Sequence, residues 1–177
     1  MENFSSLAAM VWSVADLLRG EYKQSDYGKV ILPFTLLRRV ESVLAPTKEA
    51  VLAEYQAKKD LGVPLEIFLN QKAGHQFYNT STFDLKTLLA DPDNLLQNLE
   101  NYVSAFSHNA REIFEKYKFN EQIQFLNDSD LLFEVVQKFS GFDLSPKNVS
   151  NHAMGLVFED LIRRFAEASN ETAGEHF

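Results

Sequence analysis

The chain has 177 residues, of which 45% are hydrophobic, with 15 Phe and only 7 Gly; that suits one domain or slightly more, excludes a disordered chain, and is short of the turn residues that long strand folds need. A formal charge of −8 argues against a nucleic-acid coat protein, whose affinity comes from neutralising phosphate, yet leaves room for a local basic strip. The absence of Cys excludes disulfides, cysteine nucleophiles and thiolate metal sites, and suits a reducing, cytoplasmic setting.

Met1-Glu2-Asn3 lacks the basic start of a signal peptide, and the apolar stretch from Leu7 to Leu18 is short and interrupted by Asp16, so no membrane is expected. Leu7, Val11, Val14 and Leu18 recur at helical spacing, with Gly20 as the stop. Ser25 or Asp26 opens a second helix striped by Val30, Phe34, Leu37, Val40 and Leu44. Pro33 inside that pattern either kinks the helix or marks its first turn. A polar helix follows from about Lys48 to Asp60. The segment 61–82, punctuated by Gly62, Pro64, Gly74 and Asn79, is the least regular, with His75 to Tyr78 as a short extended piece. Short helices resume around Phe83 to Leu89, and Pro92 opens one with Leu95, Leu99, Tyr102, Val103 and Phe106 inward. Asn127-Asp128-Ser129-Asp130 reads as a cap cluster before Leu131 to Phe139, and Ser145-Pro146 as a cap with its first helical residue. A last helix runs from about Asn151 to Ala168 with Met154, Phe158, Leu161 and Phe165 on one face.

The fold class expected is all-α, a bundle-like multi-helix domain with room for one short irregular hairpin around 61–82. Residues 1–168 form the helical domain, and the polar, aperiodic stretch 169–177 is a linker. Helical periodicity also predicts that most Phe are buried, Phe158 and Phe165 among them.

Motifs that carry chemistry are sparse. His75, His108, His152 and His176 show no metal-ligand spacing, so no metal is expected. No Gly-rich phosphate loop and no nucleophile elbow is present. Glu159 and Asp160 precede Arg163 and Arg164 by one helical turn and read as surface ion pairs rather than an acid/base pair. Two arginine pairs, Arg38-Arg39 and Arg163-Arg164, lie on the polar sides of apolar-striped helices. They read either as solubilising charge or as contacts to DNA or to another subunit, since guanidinium forks suit phosphate and carboxylate. Lys58-Lys59 is a weaker case. The residues alone leave open a helical protein–protein adaptor domain, and a small helical hydrolase with a site assembled across helices.

Three blocks, in order, resemble one family. They are the opening helix with Trp12 and Asp16; Tyr27 to Val51, reading YGKVILPFTLLRRVESVLAPTKEAV; and Met154 to Glu167, followed by Ala173-Gly174-Glu175-His176-Phe177. The family is the modification (methyltransferase, M) subunit of type I restriction–modification systems, at its N-terminal helical domain. The resemblance implies a full-length enzyme that transfers a methyl group from S-adenosylmethionine to the N6 of adenine in DNA. It implies as partners a specificity subunit, a second modification subunit, a restriction subunit and DNA. The N-terminal domain would help assemble that complex and close it around DNA. The catalytic Asn-Pro-Pro-aromatic motif and the cofactor's Gly-rich loop do not occur in this sequence, and the resemblance puts both after Phe177. Residues 1–177 would thus be inactive by themselves and bind no cofactor. Glu175, His176 and Phe177 match the start of a cofactor-contacting segment and would serve so only in the intact protein.

Overall fold

The structure, a computed structural model, describes residues 4–174, with side chains described through Asn170. The elements are helices throughout: α1 (Phe4–Trp12), α2 (Ala15–Leu18), α3 (Tyr27–Leu44), α4 (Lys48–Lys58), α5 (Glu66–Ala73), α6 (Leu85–Leu88), α7 (Leu95–Ser104), α8 (His108–Lys116), α9 (Phe119–Asp128), α10 (Leu132–Ser140) and α11 (Asn151–Gly174). Among the described residues there is no strand, only two isolated bridges. The all-α expectation holds. No helix among the described residues is long and apolar enough to cross a membrane.

Helix α3 is the axis of the bundle. Val30, Ile31, Leu32, Phe34 and Thr35 are all buried, so the helix is covered on every side over this stretch, and from Leu36 onward it is striped, with Leu37, Glu41 and Leu44 inward. Helices α1, α2, α9, α10 and α11 pack around it. That burial explains how Pro33 is tolerated inside an uninterrupted helix. The ring removes one intrahelical hydrogen bond, at a cost of roughly 3 kcal/mol, which packing on all sides offsets. The Thr35 hydroxyl donates to the carbonyl of Ile31 at 2.6 Å within the same turn.

A chain of aromatic rings crosses the core from α7 to the segment after α10. Tyr102 meets Phe106, Phe106 meets Phe114, Phe114 meets Phe119, Phe119 meets Phe34, Phe34 meets Phe139 and Phe139 meets Phe142, with centroids 4.9 to 5.6 Å apart. These separations are those of offset and edge-on pairs, worth about 0.5–1.5 kcal/mol each beyond area burial. The buried Phe are Phe34, Phe106, Phe114, Phe119, Phe139 and Phe142. Phe158 and Phe165 are only half-buried at the core's margin, and Phe125 and Phe133 are exposed, so the expectation that most Phe are buried was too strong.

Several local expectations are corrected. The segment 61–82 holds no hairpin. It contains α5, which ends at Gly74 in the left-handed region (φ 75°) where glycine is favoured. The extended piece beyond it pairs with residues distant in sequence: Ser107 N–H donates to Tyr78 O at 2.9 Å and Thr80 N–H to Ala105 O at 3.0 Å. The Asn127–Asp130 cluster offers α10 no side-chain cap; the chain turns there with Asp130 at φ 59°. Ser145-Pro146 makes a single turn, not a helix. The cap of α11 is Ser150, whose Oγ accepts from Ala153 N–H at 3.1 Å. That last helix continues to Gly174, past Ala168, because Ser169 to Ala173 contain neither Pro nor Gly to stop it.

Candidate functional site

The two arginine pairs have different fates. On α3 successive residues point about 100° apart, so Arg38 and Arg39 cannot share an environment. Arg39 is buried, at 6% exposure, and not on a polar face as its sequence context suggested. Its guanidinium donates to Leu144 O at 2.9 Å, Val149 O at 2.6 Å and Asn151 Oδ1 at 2.8 Å. Burial lowers its pKa, yet a guanidinium stays charged. Three charge-assisted bonds therefore tie the connection between α10 and α11 onto α3.

Arg38 is half-buried at the mouth of a cleft of about 300 Å³ lined by α3, α4, the α6 region, α7 and residues 140–145. Its Nε donates to Phe142 O at 2.8 Å and its Nη1 to Glu41 Oε1 at 2.9 Å. Glu41 is the centre of this cleft. Its Oε2 also accepts from Leu85 N–H at 2.9 Å and from the Tyr102 hydroxyl at 2.8 Å. Burial pushes the Glu41 carboxyl above its ordinary value, against the pull of those two bonds and of Arg38. Burial and the adjacent carboxylate push the fully buried Tyr102 phenol up as well. Lys48, lowered by burial, donates to Phe83 O at 2.5 Å and lies 5.5 Å from the centre of the Tyr102 ring. Perturbed groups in a cleft are the mark of a functional site. Here, however, three donors occupy the roughly four lone-pair positions of Glu41, which makes it a knot joining α3, α6 and α7 rather than a free base.

Sequence reasoning missed Glu41, Lys48 and Tyr102 as a group. The signal was present at Glu41, which stands four residues after Leu37 and three before Leu44, on the buried stripe of α3. A carboxylate at a stripe position needs donors.

On α11 the carboxylate is buried and the arginines face outward. Asp160 is 1% exposed and takes both Arg163 and Arg164, the latter at 3.2 Å from Nε to Oδ2. The expected pairing of Glu159 with Arg163 gives way to Asp160 with Arg163. Arg163 keeps 64% of its side chain exposed and Arg164 31%. The two pairs do not converge: Arg39 grips the first residue of α11, and Arg163 lies roughly 18 Å farther along that helix. Glu175, His176 and Phe177 lie outside the described residues.

His75 stacks on Phe77 at 5.4 Å, and His108 pairs with Glu112 at 2.8 Å on the surface. Among the described residues no group of three or more His, Asp or Glu is placed to hold a metal ion. S-adenosylmethionine likewise finds no fit among them. Its usual pocket lies at the carboxyl ends of parallel strands beside a Gly-rich turn, and the described residues contain no strand.

Comparison with known proteins finds no matching curated relative and no matching solved structure. A family model does match, over residues 7–139, the stretch that holds α3, the ring chain from Tyr102 to Phe139, and Glu41 with its donors Arg38, Leu85 and Tyr102. Its description is the HsdM N-terminal domain, and on that match the chain belongs to the family that forms the N-terminal domain of the M subunit, the methyltransferase subunit, of type I restriction–modification systems.

Proposed function

We propose that this helical domain helps assemble the DNA adenine-N6 methyltransferase complex and close it around DNA. The family match is the observation that carries the reading. Methyl transfer from S-adenosylmethionine would take place in a domain after Phe177, where Glu175, His176 and Phe177 would meet the cofactor. The partners would be a specificity subunit that reads the sequence, a second modification subunit, a restriction subunit and the DNA, in the cytoplasm. Enzymes that act on a base must extrude it from the duplex, and a closed grip on the backbone serves that end. A domain of net acidic charge suits a clamp that touches phosphate sparingly. Within the two arginine pairs, Arg163 is the best placed for such a contact, Arg164 and Arg38 less so, and Arg39 has its donors engaged internally.

The test is methylation by the assembled enzyme. A full-length subunit combined with its specificity subunit should label DNA from S-adenosylmethionine, and removal of residues 1–168 should abolish assembly or DNA retention. Full assembly and full DNA retention without those residues would overturn the reading.

A further inference from the structure

The exposed large apolar side chains of this domain are unevenly spread. Among the described residues Met10, Ile113, Phe125, Phe133 and Ile162 stand one to a helix, whereas Leu61, Val63 and Ile67 stand together where α4 turns into α5. Single exposed apolar residues are ordinary, but a group of them marks a contact surface. The turn is held in shape from behind. Lys59 N–H donates to Tyr55 O at 2.8 Å and Leu61 N–H to Lys58 O at 3.1 Å at the end of α4, and Leu69 N–H donates to Leu65 O at 2.9 Å at the start of α5. Lys58 bonds Glu54 at 3.0 Å and lies 5.1 Å from the centre of the Phe68 ring, which fastens the two helices to each other. Gly62 takes φ 74°, and the ring of Pro64 fixes its own φ. Tyr55 and Leu65 pack on the core, while Leu61, Val63 and Ile67 are 64, 41 and 75% exposed.

We propose that the α4–α5 turn is a preformed docking knob that seats in an apolar, uncharged pocket on a different protein subunit. The inference rests on the assembly role proposed above and names a surface that serves it. The size of the patch argues against a second copy of this chain. An aromatic side chain buries at least about 150 Å², and these aliphatic ones are smaller, so at their exposures the three offer at most about 300 Å². Two such turns face to face would bury about 600 Å², half of the roughly 1,200 Å² at which specific interfaces begin. A turn this exposed buries more when a concave partner surrounds it. Charge argues against a lipid surface or nucleic acid. Lys58 and Lys59 are matched by Glu54, Asp60 and Glu66, which leaves no basic excess to attract anionic headgroups or phosphate. A turn already fixed in shape also loses little conformational freedom on docking.

The chain contains no cysteine, so Lys59→Cys, at the edge of the patch, takes a single environment-sensitive fluorophore. In the full-length subunit its emission should shift to the blue on assembly with the specificity and restriction subunits. It should not shift in the subunit alone at high concentration, nor with vesicles of anionic phospholipid. Leu61→Ser combined with Ile67→Ser should weaken assembly by about tenfold or more in sedimentation, with Tm unchanged because both side chains already face water. Ile113→Ser, exposed on α8, should assemble as the wild type does. No blue shift in the assembled complex would overturn the proposal. A shift in the subunit alone would overturn it in favour of a second copy, and a shift on vesicles in favour of a membrane. A lowered Tm in the double variant would make the patch structural, and equal weakening by Ile113→Ser would deny it any special part. Removal of residues 1–168 keeps this inference apart from the reading beneath it. If that removal abolishes assembly while the double variant assembles fully, the knob falls and the assembly role stands; if that removal leaves assembly intact, both fall.

Discussion

Two regions of the molecule begin from the same dipeptide and use it in opposite ways. On α3, Arg39 turns inward and serves backbone carbonyls that helix and turn geometry leave without partners. On α11, the carboxylate Asp160 turns inward and Arg163 and Arg164 arch over it toward solvent. Charge identity does not tell these cases apart. What differs is the phase of each residue relative to its helix's buried face, together with what the neighbouring segment needs. The segment between α10 and α11 forms little regular structure of its own, so its carbonyls take their donors from Arg38 and Arg39.

The largest effect should separate the two regions outright. Arg39→Ala would leave three acceptors without their donor and open a cavity, for a loss of about 3–5 kcal/mol. Arg39→Lys, which keeps the charge but not the fork, should recover only part of it. Urea denaturation measures both; a loss below about 1 kcal/mol for Arg39→Ala would show that water replaces the guanidinium. Phe158→Ala comes next. A fully buried Phe costs about 3–5 kcal/mol on truncation, and Phe158 is half-buried, so about 2 kcal/mol is expected. A larger value would mean that α11 is more deeply seated than its exposure indicates.

Glu41→Gln should give a smaller change whose sign depends on pH. Burial raises the folded carboxyl above its ordinary 4.5. A raised acid contributes stability that is fully present below the unfolded value and is lost as pH rises through the folded one. The wild-type protein should therefore lose stability relative to Glu41→Gln across a window that opens near pH 4.5 and closes once the folded group has ionised. Chemical denaturation of both proteins from pH 4 upward measures the difference. A difference that grows in favour of the wild type would mean that Arg38 and the two hydrogen-bond donors outweigh desolvation.

How much of this was legible in the sequence follows from range. Helix α3 and the inward face of α7 could be read because their apolar spacing is local, as with Val30, Phe34 and Leu37 or Leu95, Leu99 and Tyr102. Helices α8 and α9 were not delimited: Lys118 at their junction adopts φ 53°, a turn that no glycine advertises. The pairing of Tyr78 with Ser107 was hidden because its partner lies far along the chain. The Glu41 cleft was hidden for the same reason. Its donors come from Arg38, Leu85 and Tyr102, three elements that only the folded bundle brings together. The family resemblance was legible because it rested on ordered blocks rather than on any one contact, and the match over residues 7–139 covers the first two of them.

The smallest effect on stability is expected at Arg163, and there the comparison turns to function. With 64% of its side chain exposed, its pairing with Asp160 is screened on the solvent side. Arg163→Ala should therefore change stability by less than Arg39→Ala by several-fold, although Asp160 keeps Arg164 as its remaining partner. Its proposed task is to meet a DNA phosphate in the assembled enzyme. A phosphate contact releases condensed counterions, so its loss should lower the slope of log affinity against log salt by about 0.9 and weaken binding equally on all sequences. Arg39→Lys, folded but altered only inside, should leave that slope unchanged. The pair of measurements separates an outward contact from general loosening: loosening would weaken both variants without a change of slope. An unchanged slope for Arg163→Ala, with the same affinity as the wild type, would return Arg163 to ordinary surface charge and move the search for the DNA contact to Arg164 and Arg38.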